Sequence, residues 1–283
     1  MPLGKIEIFS LFCYNDKNGG YSMRVIDYHM HTHFSGDSEA NPREHVLQAI
    51  KMNLDEICFT GHRDFNYPID SFELDVENYY QTIQALKEEF KDQITIKWGI
   101  EMGLDLEHQE EIEKLIQSYP FDFVIGSIHV IHHTEFYYGE FFKGKTKEEA
   151  HREFFEETLK CVKAFDCFNV LGHLDYIVRY GPYQDKTVDH AKYQDIIDEI
   201  FKTLIKKGKG IEVNTSGYKD LKICGFPNYE QVQRYYDLGG RIITIGTDSH
   251  TSDRVGENCL TVAKKYQEIG FEDVSTFTGR VKD

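Results

Sequence analysis

The segment Arg24-Val-Ile-Asp-Tyr-His29-Met-His31 constrains this chain most. A short apolar run of this kind reads as a buried strand, and residues two apart on a strand point to the same face. His29 and His31 therefore present two imidazoles side by side where the first strand ends. Such a pair becomes a set of metal ligands when further donors converge on it; alone it is two surface histidines at a strand end. The rest of the chain decides between these, because the same event recurs along it.

From Met23 onward strands and helices alternate. The first strand ends at His31, and Pro42 to Met52 reads as a helix with Asn41 as its N-cap and Pro42 in the first turn. Glu56 to Thr60 is the second strand, ending at His62, and a helix follows over about 75–91. Ile94 to Ile100 is the third, ending at Glu101, with a charged helix over about 107–117. Phe121 to Ile128 is the fourth, ending at His129; an aromatic loop from Val130 to Lys145 leads to a helix over about 147–165. Asn169 to Gly172, ending at His173 and Asp175, is the fifth, with a helix over about 189–207. Gly210 to Val213, ending at Asn214, is the sixth, and a helix covers about 228–238. Arg241 to Ile245 is the seventh, running into Asp248 and His250, before a last helix over about 258–268. Seven strands alternating with helices imply parallel βα units. Their even spacing favours a closed α/β barrel over a doubly wound sheet.

The 283 residues suffice for one such domain. The barrel is assigned to residues 23–283, and residues 1–22 are set apart as an N-terminal extension or leader in which Ile6 to Tyr14 suits an extra strand. The net charge of −16 (32 basic residues against 48 acidic) argues against a general nucleic-acid binder. No apolar run approaches the roughly 20 residues of a membrane span, and residues 1–22 are too interrupted by polar residues for a secretory signal. The six cysteines are scattered without a C-x-x-C pair and read as free thiols of a reducing, cytoplasmic compartment.

Polar or metal-type residues thus stand at the C-terminal end of every strand, the face on which loops build the site in βα barrels. Neutral imidazoles and carboxylates crowded there need hydrogen-bond partners or cations. The candidate ligands are His29, His31, Asp37, His62, Glu101, His129, His173, Asp248 and His250. They exceed one tetrahedral site and suit two or three divalent ions with exchangeable water. His, Asp and Glu ligands accept Zn, Fe or Mn alike.

These residues resemble a known family. His29-Met-His31-Thr, Thr-Gly-His62, Gly-Ile-Glu101, Gly-Ser-Ile-His129, Gly-His173-Leu-Asp175, Glu212-Val-Asn214-Thr-Ser and Thr247-Asp248-Ser-His250 are similar in order and spacing to the motifs of the polymerase and histidinol phosphatase (PHP) superfamily. The Ser35-Gly36-Asp37 ending of the first motif, and the length, look most like the histidinol-phosphate phosphatase branch. The resemblance implies a distorted, TIM-like (β/α)7 barrel holding three metals. By motif position His29, His31, Glu101 and Asp248 would hold the first. Glu101 would bridge to a second held also by His129 and His173, and Asp37, His62 and His250 would take the third. Superfamily members often carry His where this chain has Asp37, and an acidic residue where it has Gly61.

The implied chemistry is phosphate-monoester hydrolysis, the phosphatase step of histidine biosynthesis on L-histidinol phosphate. Metals neutralise the ester's oxygens and lower the pKa of bound water, so that a hydroxide shared by two ions attacks phosphorus. Other members act on other small phosphates or nucleotides, or serve as accessory domains of DNA polymerases. Glu101, Asp248 and Arg179 are the candidate catalytic residues, Arg179 as the cation that stabilises the phosphoryl oxygens. Lys219, Asn214 and His133 are further candidates for touching substrate, and Asp175 for orienting His173. His33 is expected to support the site from behind. His45, His108, His151 and His190, on predicted helices or their ends, are expected to be solvated.

Overall fold

The computed structural model describes residues 14–15, 21–65, 67–68, 72–221 and 225–283, and side chains within 23–65, 67–68, 72–218 and 225–283. Seven parallel strands form one sheet in sequential order: β1 (Ile26–Asp27), β2 (Glu56–Arg63), β3 (Thr95–Gly103), β4 (Phe123–Ser127), β5 (Val170–Leu171), β6 (Gly210–Asn214) and β7 (Ile243–Gly246). Between them run α1 (Pro42–Lys51), α2 (Val76–Glu89), α3 (Gln109–Ser118), α4 (Lys147–Ala164), α5 (Ile177–Tyr180), α6 (Gln194–Lys206), α7 (Ser216–Leu221) and α8 (Tyr229–Asp237), and α9 (Cys259–Ile269) follows β7. The arrangement is the expected seven-stranded α/β barrel.

The sheet curls until its last strand meets its first. Tyr28 N–H donates to Ile245 O at 2.8 Å, Asp248 N–H to His29 O at 2.8 Å, and His31 N–H to Ser249 O at 2.8 Å. Asp27 pins this seam. Its buried carboxylate accepts from Thr247 N–H (2.9 Å), the Thr247 hydroxyl (2.6 Å), Gly256 N–H (3.0 Å) and His29 N–H (3.3 Å). The seam explains a difference from expectation: the β1 ladder stops at Asp27, and the chain up to His31 is held instead by these seam bonds and the bridge from Met30 to Ser249.

Strand alternation decides which side chains enter the barrel. On β3, Trp98 packs at 4.6 Å from Tyr80 of α2 and 4.2 Å from Phe121, so its face looks to the helices. Gly99, Glu101 and Gly103 take the opposite, interior face. In register, His62 of β2 stands opposite Glu101. The other end of the barrel is closed by aromatic packing. Tyr28 lies 5.0 Å from Phe123, which lies 5.1 Å from Phe277 in a C-terminal hairpin of Phe277–Thr278 with Val281–Lys282.

Helix signals read from sequence match where a cap is present: Asn41 caps α1, Asp75 caps α2, and Thr146 with Glu149 forms a reciprocal capping box on α4. The helix expected over 189–207 begins later, because His190–Lys192 forms a 3₁₀ turn before α6. α5 and α7 were not anticipated. His45, His151 and His190 are buried where solvent exposure was expected: His45 packs 6.1 Å from Phe59, His151 6.0 Å from Tyr193, and His190 bonds Asp175 at 3.0 Å. His108 is half-buried and pairs with Asp105 at 2.8 Å. Cys58, Cys161 and Cys259 are buried free thiols and Cys167 is half-buried; Cys13, Cys224 and the strand expected from Ile6 lie largely or wholly outside the described residues. No helix among the described residues is long and apolar enough to cross a membrane.

Two stability predictions follow, with the single tryptophan, Trp98, as a buried fluorescent reporter. Asp27→Ala strands the backbone N–H groups of His29, Thr247 and Gly256 and should cost ~2–5 kcal/mol in urea denaturation. Burial pushes the His45 ring down to about 4, so the folded state holds it neutral while the unfolded chain protonates it near 6.5. Its contribution is fully present above the unfolded pKa and is lost as pH falls from there toward 4. His45→Leu should therefore shrink the stability lost between pH 7 and 4.5 by up to ~2–3 kcal/mol relative to wild type.

Candidate metal centre

Glu101 leaves β3 on its interior face, and its two oxygens serve different histidine pairs. Oε2 lies 3.2 Å from His29 Nε2 and 3.4 Å from His31 Nε2. Oε1 lies 3.0 Å from His173 Nε2 and 3.3 Å from His129 Nε2, and accepts from Ser127 Oγ at 2.8 Å. Asp248 completes the first set, with Oδ1 3.2 Å from His31 Nε2 and 3.7 Å from His29 Nε2. Its backbone sits in the left-handed region at φ 53°, a conformation that non-glycine residues reach only where the surroundings enforce it. Here the seam bond from Asp248 N–H to His29 O does so.

Glu212 orients both sets from behind. Its Oε1 lies 2.6 Å from His29 Nδ1 and its Oε2 accepts from His173 N–H at 2.9 Å. The His29 proton therefore sits on Nδ1, and the Nε2 lone pair faces inward. Room for this comes from glycine. A Cβ on Gly246 would lie 2.3 Å from both Glu212 Oε1 and His29 Cβ, and one on Gly172 would lie 2.5 Å from Ser127 Oγ.

The nitrogens converge on shared points. His29 Nε2 and His31 Nε2 are 3.1 Å apart, and His129 Nε2 and His173 Nε2 are 3.5 Å apart. A cation placed between such lone pairs would satisfy both, so the donor set fits divalent metal. Electrostatics agree. Burial works against the charged forms throughout, yet the neighbouring imidazoles hold Glu101 and Asp248 well below the usual carboxylate range. Burial lowers His31 and His173. For His29 and His129 burial is outweighed, by Glu212 and Glu101 at the first and by Asp64 and Glu101 at the second, and both rings are raised.

Among the described residues four triads are placed to hold an ion: His29, His31 and Asp248; Glu101, His129 and His173; His31, Asp37 and His250; and His62, Asp64 and His129. The third lies at the rim, with His250 Nε2 2.9 Å from Asp37 Oδ2 and both side chains about a third exposed (35% and 36%). His62 groups with Asp64 and His129, while its charge also helps to lower the Asp37 carboxyl. Its Nε2 lies 2.8 Å from Asp64 Oδ2, because β2 runs on to Arg63 and delivers Asp64 beside it. Asp64 escaped the sequence reading, although it repeats after His62 the two-residue step that joins His29 to His31.

Arg179, on α5, reaches the centre. Its Nη1 lies 3.2 Å from Asp248 Oδ2, it donates to Ser216 Oγ, and its guanidinium lies 5.3 Å from the centre of the Tyr176 ring. With Tyr180, Ser216, Asp248, His250, Thr251 and Arg254 it lines a cavity of about 280 Å³ at the mouth.

Other expectations are corrected. Asn214 is fully buried, and its Oδ1 accepts from Ser216 N–H at 3.0 Å and from the Ser216 hydroxyl, so it braces the loop that holds Arg179 and does not face the mouth. His133 is exposed, 3.0 Å from Glu107, on a separate cavity of about 200 Å³. Asp175 bonds His190, and Glu212 accepts from the His173 backbone N–H. His33 is exposed, its ring tilted against that of Phe34 at 4.3 Å. Lys219 lies in α7, its side chain outside the described residues.

Comparison with known proteins agrees with this geometry. Residues 27–216 match the PHP domain family. The chain is 45% identical over 258 residues to the histidinol-phosphatase of Lactococcus lactis, covering 91% of this chain and 96% of that one. It is 33% identical over 253 residues to a probable histidinol-phosphatase of Clostridium acetobutylicum, covering 88% and 96%. The crystal structure of the Lactococcus lactis histidinol phosphate phosphatase, in complex with zinc, L-histidinol and phosphate, superposes with a TM-score of 0.89 over 93% of this chain and 100% of that one. A histidinol phosphatase structure from Listeria monocytogenes shares the fold at a TM-score of 0.69 and 17% identity over 83% of this chain and 99% of that one. A closed seven-stranded barrel, motifs at its strand ends and a family match over most of its length place this chain in the PHP domain family.

Proposed function

We propose that this chain is a metal-dependent phosphomonoesterase that hydrolyses L-histidinol phosphate to L-histidinol and phosphate, as a cytoplasmic enzyme of histidine biosynthesis. The observation that carries the reading is Glu101, whose two oxygens each face a different pair of imidazole nitrogens, the arrangement of a carboxylate shared between neighbouring ions. The 45% identity to a histidinol-phosphatase over nearly the whole chain supports the substrate.

His29, His31, Asp248 and Glu101 would hold one divalent ion; Glu101, His129 and His173 a second; and Asp37 and His250, beside His31, a third, with zinc, iron and manganese the candidates. Bound there, the ions would neutralise phosphate oxygens and bring the pKa of a coordinated water toward 7. The side chains supply the rest. Arg179 presents a planar fork to two phosphoryl oxygens. Asp248 and the Ser216 hydroxyl hold that fork, and Asn214 holds Ser216. The buried floor restricts water to the mouth side. The overall net charge of −16 is consistent with a leaving group that carries a primary amine and an imidazole.

Three measurements test this reading. Phosphate release from a panel of monoesters and diesters should be fastest with L-histidinol phosphate; equal rates across the panel would instead indicate a broad phosphoesterase. Glu101→Gln replaces an anionic bridging ligand with a neutral amide and should lose both bound metal and turnover; near-wild-type turnover with metals retained would remove Glu101 from the centre. Arg179→Ala should leave metal content intact and lower kcat/KM by ~10²–10³, roughly 3–4 kcal/mol of transition-state stabilisation. Arg179→Lys should recover part of that loss, since charge survives without the fork.

A further inference from the structure

Asp64 is buried on the side of His129 that faces away from Glu101. Its Oδ1 lies 3.3 Å from His129 Nδ1, and its Oδ2 lies 2.8 Å from His62 Nε2. The two ring nitrogens that meet across this carboxylate are 2.9 Å apart. Taken with His62 and His129, Asp64 has the composition of a fourth ion site.

We propose that Asp64 is a positioning residue and not an ion ligand, its Oδ1 accepting the Nδ1–H of His129. The argument starts from His129. Its Nε2 faces Glu101 Oε1 at 3.3 Å and His173 Nε2 at 3.5 Å, where the second ion belongs. A neutral imidazole that ligates through Nε2 carries its proton on Nδ1, and a protonated nitrogen cannot bind metal. His129 Nδ1 therefore donates to Asp64. His62 Nε2 lies 2.8 Å from the other oxygen. Glu212 does the equivalent for His29. A carboxylate behind a ligating histidine fixes its tautomer and raises its basicity, and removing one typically costs 10–100-fold in metal affinity.

The strand next door is shaped for this carboxylate. A Cβ built on Gly103 would lie 1.5 Å from Asp64 Oδ1 and 2.7 Å from its Cγ, while the Asp64 Cβ is an ordinary contact at 3.5 Å. These are the nearest atoms Gly103 would meet among the described residues. Glycine at 103 thus serves the Asp64 carboxylate.

The inference rests on the metal assignment above, and the test separates the two. Protein stripped with chelator is titrated with Zn²⁺ against a chromophoric competitor, and stoichiometry and affinity are read for wild type, Asp64→Ala, Asp64→Asn, Gly103→Ala and the Asp64→Ala/Gly103→Ala double variant. Wild type that takes up no Zn²⁺ would overturn the metal assignment itself. With wild type loading normally, Asp64→Ala should keep the full number of ions and bind one of them ~10–100-fold more weakly. Asp64→Asn, which keeps one acceptor oxygen, should fall between. Gly103→Ala should weaken the same ion, and adding it to Asp64→Ala should change nothing further. Loss of a whole equivalent in Asp64→Ala with the remaining affinities unchanged would make Asp64 a ligand and overturn the proposal. So would wild-type affinity in both Asp64 variants. Should Asp64→Ala fail to fold, Asp64→Asn and Gly103→Ala carry the same comparison.

Discussion

The closure of the sheet between its first and last strands is the constraint on which the rest of the molecule depends. His29 and His31 meet Asp248 and His250 across some 220 residues of chain only because β7 hydrogen-bonds back onto the run after β1. One carboxylate, Asp27, fastens that seam by accepting from both chain segments and from the loop at Gly256. Burial raises its pKa, offset in part by those same donors, so a costly buried charge is tolerated where several N–H and O–H groups would otherwise lack an acceptor. The seam strands are short, and side-chain bonding replaces the ladder they lack.

The two ends of the barrel meet opposite demands. At one end Tyr28, Phe123 and Phe277 fill the interior, and the C-terminal hairpin covers it. That end obeys the ordinary rules of packing. At the other, imidazoles and carboxylates crowd together with nitrogen atoms 3.1 Å and 3.5 Å apart. Without cations such an arrangement is electrostatically frustrated. Its persistence in the fold reflects how the backbone holds it together with Glu212 at the His29 ring, Ser35 at the His31 ring and Ser127 at the Glu101 carboxylate.

The barrel was legible because its signal is repetitive: seven apolar runs at even spacing, each followed by a polar residue. The ends of the strands carried the donor residues for the same reason, and the structure brings His29, His31, Glu101, His129, His173 and Asp248 within a few ångströms of one another. What was not legible depends on contacts between distant segments. Nothing near His45 or His151 in sequence marks them as buried, because the helix faces that cover them are set by the barrel. Asn214 looked like a substrate contact by position, yet its amide is consumed by Ser216 in its own loop. Glu212 sits within its motif and Asp64 two residues past His62, but their work is done from behind the rings they orient, and a spacing pattern does not separate a residue that faces a site from one that backs it.

Three glycines near the site differ in how firmly history binds them. Gly246 is hemmed in by Glu212 and also by His29 itself, so no single change elsewhere would release it. Gly172 meets Ser127 and, at 2.9 Å, a methyl of Ile125, and would need two neighbours to yield. Gly103 is crowded by the carboxylate of Asp64 alone. A lineage that gave up that carboxylate would find position 103 open to alanine at once, and, having taken it, would find the way back closed until the glycine returned. The order of the two substitutions then matters as much as their identity, and this pair makes evolution around the centre directional.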